Sequence, residues 1–156
     1  YQSGFSFELD IYSKEDAVIN NTKFQDSDQA RFVNENSWKY GIVFRFPASG
    51  YPTAETRDRD FITGINNTTL KMNAYRYVGV AHATAMHILD LCLEEYIDYL
   101  SQHPHIMIYK DGKLMYEIGR QAESEESQTI DLPQNTTSYT VSSDNVGGLI
   151  WAASFE

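Results

Sequence analysis

Two histidines, His82 and His87, stand in "KMNAYRYVGVAHATAMH" (71–87), just after an aromatic-rich segment, Tyr75-Arg76-Tyr77, and Gly79. Imidazole is the commonest metal-binding side chain, and two on one helix share an ion when they lie three or four positions apart, on one face. These two are five apart, roughly 140° around a helix of 3.6 residues per turn. The spacing predicts two separate imidazoles, on the surface or partly buried, rather than a chelate. Cys92 is the one cysteine. It excludes an internal disulfide and any cysteine-based zinc cage, and it reads as a small buried apolar residue near a helix start. A catalytic thiol needs a base and an orienting group. His82 and His87 are close in sequence, but no local signature pairs them with it.

The elements that position these residues follow from patterning. "FSFELDIY" (5–12) alternates and predicts a strand. "KEDAVINNTKFQDSD" (14–28) is a polar loop, and Asp26, Ser27 or Asp28 could cap the helix predicted over 29–41, which Gly41 ends. "GIVFRFP" (41–47) is a strand stopped by Pro47. A loop (48–60), a short strand (61–65) and a turn, "NNTT" (66–69), lead to an extended segment over 71–78. Helices are predicted over about 80–90 and 93–100. After "SQHPH" the texture changes, and His103 and His105, flanking Pro104, read as connector residues. "IMIYKDGKLMYEI" (106–118) is a hairpin turning on Asp111-Gly112. "RQAESEESQ" (120–128) is a charged loop, and "TIDLP", "SYTVS" and "GLIWAAS" are short strands. The expected organisation is an α+β part, 1–101, and a small β part, 102–156.

Composition narrows the function. The chain has 156 residues, enough for one domain with a core and an appendage. Its formal net charge of −10 repels a duplex or polyphosphate, so no nucleic-acid partner is expected. No stretch approaches the ~20 apolar residues of a membrane span. Sequons at Asn20, Asn66, Asn67 and Asn135 read as polar residues of exposed turns rather than glycan sites.

"SWKYGIVFRFP" (37–47), "ITG" (62–64), "YRYVGVAHA" (75–83) and "LEEYIDYL" (93–100), in that order, resemble the VanY-type D-alanyl-D-alanine carboxypeptidases, zinc peptidases that trim the peptides of bacterial cell walls. "YTVSSDNVGG" (139–148) is similar to the ending of an extension found on some members. The resemblance covers about 30–100 well and 103–154 moderately. It implies an antiparallel sheet with helices packed on it, and an extracellular or cell-wall location in a bacterium. The family sheet has elements before Asp10 that this chain lacks.

The same resemblance marks what has been replaced. The family has a zinc-binding His just before its aromatic-Arg-Tyr-Val-Gly run; here it is Ala74. Its general base, a Glu three positions earlier, is Lys71, and its Pro and Trp are Met72 and Asn73. Aligning the remaining ligand motif on Asp10 puts Ser3 at the second His position, so Asp10 alone survives. A catalytic zinc needs three protein ligands and an open position for water. One carboxylate does not supply them, and a protonated Lys repels a dication and is no base. His82 falls at a helix position that is not a ligand in the family. No zinc or other cofactor, and no catalytic residue, is therefore expected. The remnant cleft is expected to hold Lys71, Asn73, Arg76 and Arg45. Arg45 reads first as half of an ion pair and second as a fork for a ligand carboxylate. The function implied is a non-catalytic carboxypeptidase-like domain that binds a cell-wall peptide or another protein. The alternative is a genuine zinc-dependent carboxypeptidase whose missing ligands come from a segment outside this chain.

Overall fold

A computed structural model of the protein describes residues 5–15, 24–45 and 73–155. These fall into two compact units, Tyr1–Glu95 and Tyr96–Glu156.

The first unit is organised by one tyrosine. Strands β1 (Ser6–Glu8), β2 (Ile42–Phe44) and β3 (Ala74–Tyr77) form an antiparallel sheet in the order β1-β3-β2. Phe7 and Phe44 both stand opposite Tyr75 in the central strand. Side chains alternate across a strand, so Tyr75 points to the opposite face from Ala74 and Arg76. Its ring is fully buried, with Phe7, Phe24 and Phe44 at centroid distances of 6.1, 6.2 and 5.5 Å. Helix α1 (Asp28–Asn36) covers this face, burying Ala30 and Val33 against it. The Tyr75 hydroxyl donates to Asn34 Oδ1 of α1 at 2.6 Å, so the polar tip of the largest core residue is satisfied.

The ends of α1 are set by local chemistry. Ser27 caps it, its hydroxyl accepting from the Ala30 amide at 3.1 Å. The predicted helix over 29–41 divides: α1 stops at Asn36 and a 3-10 turn (Ser37–Tyr40) finishes the segment. Gly41 ends it with φ +78°, the left-handed conformation that favours glycine. Space requires glycine there too. A Cβ would lie 2.8 Å from the Gly79 carbonyl carbon and 2.9 Å from the Val80 nitrogen, because the chain leaving β3 passes directly over it and Val78 donates to the Gly41 carbonyl. Helix α2 (Val80–Leu89) follows, with Ala81 to Met86 all buried. Strand β1 is shorter than its alternating pattern suggests, since only residues 6–8 pair with β3. Pro47 and the expected loop, strand and turn over 48–69 lie outside the described residues, as do Asn20, Asn66 and Asn67.

Helix α3 (Leu93–Gln102) begins in the first unit and continues into the second. The second unit is a four-stranded antiparallel sheet, β4 (His105–Lys110), β5 (Lys113–Ala122), β6 (Ser138–Ser143) and β7 (Gly148–Ser154), in the order β4-β5-β7-β6. The hairpin between β4 and β5 turns on Asp111 and Gly112, both at positive φ, the geometry that matches strand twist. Gly119 of β5 faces Trp151 of β7, whose indole fills the space a side chain would need.

Two expectations need correction here. "TIDLP" (129–133) is not a strand. Pro133 can donate no ladder hydrogen bond, and its carbonyl instead accepts from the Thr136 hydroxyl in a turn. Arg120 and Gln121, expected in a charged loop, belong to β5. Arg120 is drawn in by Asp144, whose buried carboxylate accepts from Arg120 Nε at 2.7 Å and from the Val146 and Gly148 amides at 2.8 Å each.

Candidate functional site

Four of the positions singled out by sequence, Asp10, Asn73, Ala74 and Arg45, lie at one end of the three-stranded sheet. Glu8 pairs with Ala74, the Leu9 amide donates to the Asn73 carbonyl at 2.9 Å, and the Arg45 amide donates to the Ala74 carbonyl at 2.9 Å. Asp10, Asn73, Ala74 and Arg45 thus come from the ends of three adjacent strands. Asn73 ties two of them together: its amide nitrogen donates to the Leu9 carbonyl at 3.0 Å and to Asp10 Oδ1 at 3.1 Å. Ala74 is 1% exposed and offers a methyl group. Arg76, two residues along, shares the face of Ala74 and stands between Ser6 and Val43. Ser3 and Lys71 lie outside the described residues.

Arg45 is engaged within the protein. Its fork meets both oxygens of Glu94 at the start of α3, at 2.5 and 3.1 Å, with each side chain 18% exposed. Two parallel charge-assisted bonds hold the guanidinium plane in a fixed direction. Pairing separates residues 45 and 94 by 49 positions in sequence, so only the fold reveals the partner.

The histidines and the cysteine are placed apart from this end. His82 is buried, and burial pushes its pKa down to about 4, so it is neutral near pH 7. His87 is exposed and stacks on Trp38 at 4.1 Å between centroids. The five-residue spacing does send the two rings to different environments. His103 stacks on Tyr99, and His105 opens β4 with its Nε2 2.6 Å from Glu117. Cys92 is buried, and burial, with the Glu95 and Glu94 carboxylates nearby, pushes its thiol up to about 11. It is a thiol, not a nucleophile, at neutral pH. A pocket of about 100 Å³ is lined by Trp38, Val43, Ala83, Met86 and Cys92 among others. Asp10, Asn73 and Ala74 do not line it.

Whether these residues suit a zinc ion can be tested on their donor atoms. Tetrahedral zinc wants three convergent nitrogen, sulfur or carboxylate ligands. Among the described residues no three His, Cys, Asp or Glu side chains stand together so. At the sheet end itself the one carboxylate on the described part of the candidate site, Asp10, accepts from the Asn73 amide, and Ala74 offers no donor atom. The described residues do not fit the ion.

Comparison with known proteins identifies the scaffold. No protein-family model matches the chain. A D-alanyl-D-alanine carboxypeptidase of Enterococcus faecium is 32% identical over 129 residues, 83% of this chain and 38% of that protein. The chain belongs to the VanY-type D-alanyl-D-alanine carboxypeptidase family. A second carboxypeptidase of that name, from Enterococcus faecalis, is 37% identical over 68 residues, 44% of this chain and 21% of its own. The crystal structure of the vancomycin resistance D,D-dipeptidase VanXYg, in complex with a D-Ala-D-Ala phosphinate analogue, superposes with a TM-score of 0.71. It covers 98% of this chain and 57% of its own at 18% identity, and so shares the fold. The chain spans about two fifths of the Enterococcus faecium relative, at 38%. No described helix is long and apolar enough to cross a membrane.

The sequence misses two features of this end. Asn73 reads as a substituted Trp, yet its amide donates to Asp10 across the sheet. Glu94 reads as part of a helix start, yet it occupies Arg45. Neither leaves a local signal, because both act across the sheet or between elements.

Proposed function

We propose that this chain is a non-catalytic carboxypeptidase-like domain that binds a peptide carboxylate of the cell wall at the sheet end of Asp10, Asn73 and Arg76. The observation that carries the reading is the pair Asn73 and Ala74. An amide donates to one oxygen of the Asp10 carboxylate, and Ala74 offers a buried methyl where the family resemblance expects an imidazole. An amide and a guanidinium bind anions without metal, since charge-assisted hydrogen bonds to a carboxylate need only a cationic donor. Arg76 supplies that donor, and Lys71, by its place in the sequence, adds a second positive charge. Arg45 contributes only by leaving Glu94. The extracellular setting belongs to this proposal, since peptidoglycan peptides lie there.

The names of the relatives favour a second reading, in which a longer protein supplies the missing ligands and the whole is a zinc-dependent D-alanyl-D-alanine carboxypeptidase. Titration of a D-Ala-D-Ala-terminated pentapeptide, followed by heat and by assay of free D-alanine with and without added zinc, separates the two. We expect weak saturable binding, because exposed ion pairs contribute only about 0–1 kcal/mol each. Arg76→Ala and Lys71→Ala should weaken it, with no D-alanine released at any zinc level. Zinc-dependent release establishes the second reading, and failure to bind defeats the first.

A further inference from the structure

The two edges of the second sheet are finished differently. Along β4 the register slips between Ile108 and Tyr109, and the strand ends on Lys110. A bulge and a lysine are common ways to blunt an edge against pairing. Strand β6, "SYTVSS", has neither: it carries no charge and no proline, and it pairs with β7 in unbroken register. All six residues are exposed, Tyr139 by 60% and Val141 by 45%.

Its hydrogen-bonding direction is fixed by its neighbours. Asp144 donates to the Gly148 carbonyl, so Ser142 and Thr140, in alternation, turn their backbone groups toward β7. The amides and carbonyls of Tyr139, Val141 and Ser143 therefore point outward. Among the described residues none of them makes a backbone hydrogen bond to a turn, loop or other element outside the β6–β7 ladder. Three residues of open ladder stand on a strand of high β-propensity, with Tyr139 and Val141 projecting on one face.

Charge decides what fits. From residue 121 onward the chain has no Lys or Arg, and Glu123, Glu125, Glu126, Asp131 and Asp144 all lie within it. Arg120 engages Asp144. Glu123 accepts from the Ser143 hydroxyl at 2.7 Å, which puts a carboxylate at the end of the open strand. A second copy of this chain would bring the same carboxylates against their own kind. We infer that the outer edge of β6 is a docking site for an extended, lysine- or arginine-bearing segment of another protein, added as a fifth strand. Main-chain bonds supply the affinity, and the acidic surround selects a cationic strand. The site is independent of the carboxylate cleft proposed above.

A labelled heptapeptide, Lys-Thr-Val-Lys-Val-Thr-Lys, provides the probe, read by fluorescence anisotropy on the full chain. We expect saturable binding that weakens about tenfold or more when glutamate replaces each lysine, and that falls with added salt. Methylating alternate backbone nitrogens of the peptide should abolish binding with the protein unchanged. Val141→Pro should abolish it too: that amide faces outward, so proline removes an edge donor and spares the β7 ladder. Its fold is checked by circular dichroism. Glu125→Lys with Glu126→Lys should weaken binding without touching the strand. Indifference to both peptide charge and N-methylation overturns the proposal. So does sedimentation showing self-association that Val141→Pro removes, which assigns the edge to a second copy.

Discussion

The two sheets hold themselves together by different means. In the first, the strands have three, three and four residues, too few for ladder bonds to carry much. One aromatic side chain does that work, with Tyr75 touching both flanking strands and the helix above. In the second, strands of six, ten, six and seven residues pair along their length, and fixed points such as Asp144 and the Gly119–Trp151 contact set the register. The lesson concerns function. The sheet that depends on single side chains is the one whose strand ends carry Asp10, Asn73, Ala74 and Arg45, and its framework rests on Gly41, Tyr75 and the buried α2.

Breaking the keystone tests that contrast most directly. Tyr75→Ala removes a fully buried ring and leaves a cavity among Phe7, Phe24 and Phe44, at a cost of about 4 kcal/mol. Tyr75→Phe keeps the ring and strips the hydrogen bond to Asn34, costing about 1 kcal/mol. Urea unfolding measures both. Segment-resolved hydrogen exchange should place the lost protection in β1, β2 and β3. If protection falls equally in β5 and β7, the first sheet is not organised by this residue.

Acid should separate the units in a predictable order. His82 has an ordinary value of 6.5 lowered to about 4 by burial. The unfolded chain therefore binds the extra proton first, and stability is full above pH 6.5 and lost as pH falls toward 4, by about 3 kcal/mol. Asp144 behaves differently. Burial raises its value, but the Val146 and Gly148 amides and Arg120 outweigh that and hold it below its usual 3.8. Its contribution is intact above that value and is lost only as pH drops further. Exchange monitored from pH 7 to 3 should show the first unit loosening through the 6.5 to 4 window while β6 and β7 stay protected. His82→Gln should flatten that slope. A slope that persists in the variant assigns the acid sensitivity elsewhere.

What the sequence revealed and what it hid divide along a physical line. A helix cap among Asp26, Ser27 and Asp28, Gly41 as a helix end and the Asp111-Gly112 turn were all legible, because each depends on neighbours within four residues. The reading of Ala74 and Asn73 as replaced positions came only through resemblance, since nothing local sets either apart from an ordinary strand residue. Arg45 reads as half of an ion pair, but its partner Glu94 was invisible, as were the pairs Arg120–Asp144 and Asn73–Asp10: they join positions 49, 24 and 63 residues apart. Long-range pairing also explains the misjudged ends. An alternating pattern continues past Glu8, but among the described residues only the Leu9 backbone, through Asn73, is tied to the neighbouring chain there, and Arg120 looks like loop until Asp144 arrives beside it.

The smallest predicted effect comes from Ser27, and it probes how far the helix over Tyr75 depends on its own start. The Ser27 hydroxyl accepts from the Ala30 amide at 3.1 Å and donates to the Phe24 carbonyl at 2.6 Å. Removing it in Ser27→Ala should cost about 1 kcal/mol, the usual value of a helix cap. Ser27→Thr keeps both functions and should stay close to the parent. Ser27→Asp still accepts from the amide and favours the positive end of the helix dipole, but it cannot donate to Phe24 and sets a carboxylate against that carbonyl. It should fall between the two. Each variant is read by urea midpoint at constant slope. The order Thr, Asp, Ala from most to least stable assigns the effect to both hydrogen bonds. If Asp matches Thr, the bond to Phe24 contributes nothing, and the 3-10 turn over residues 24–26 is held by its own packing against Tyr75.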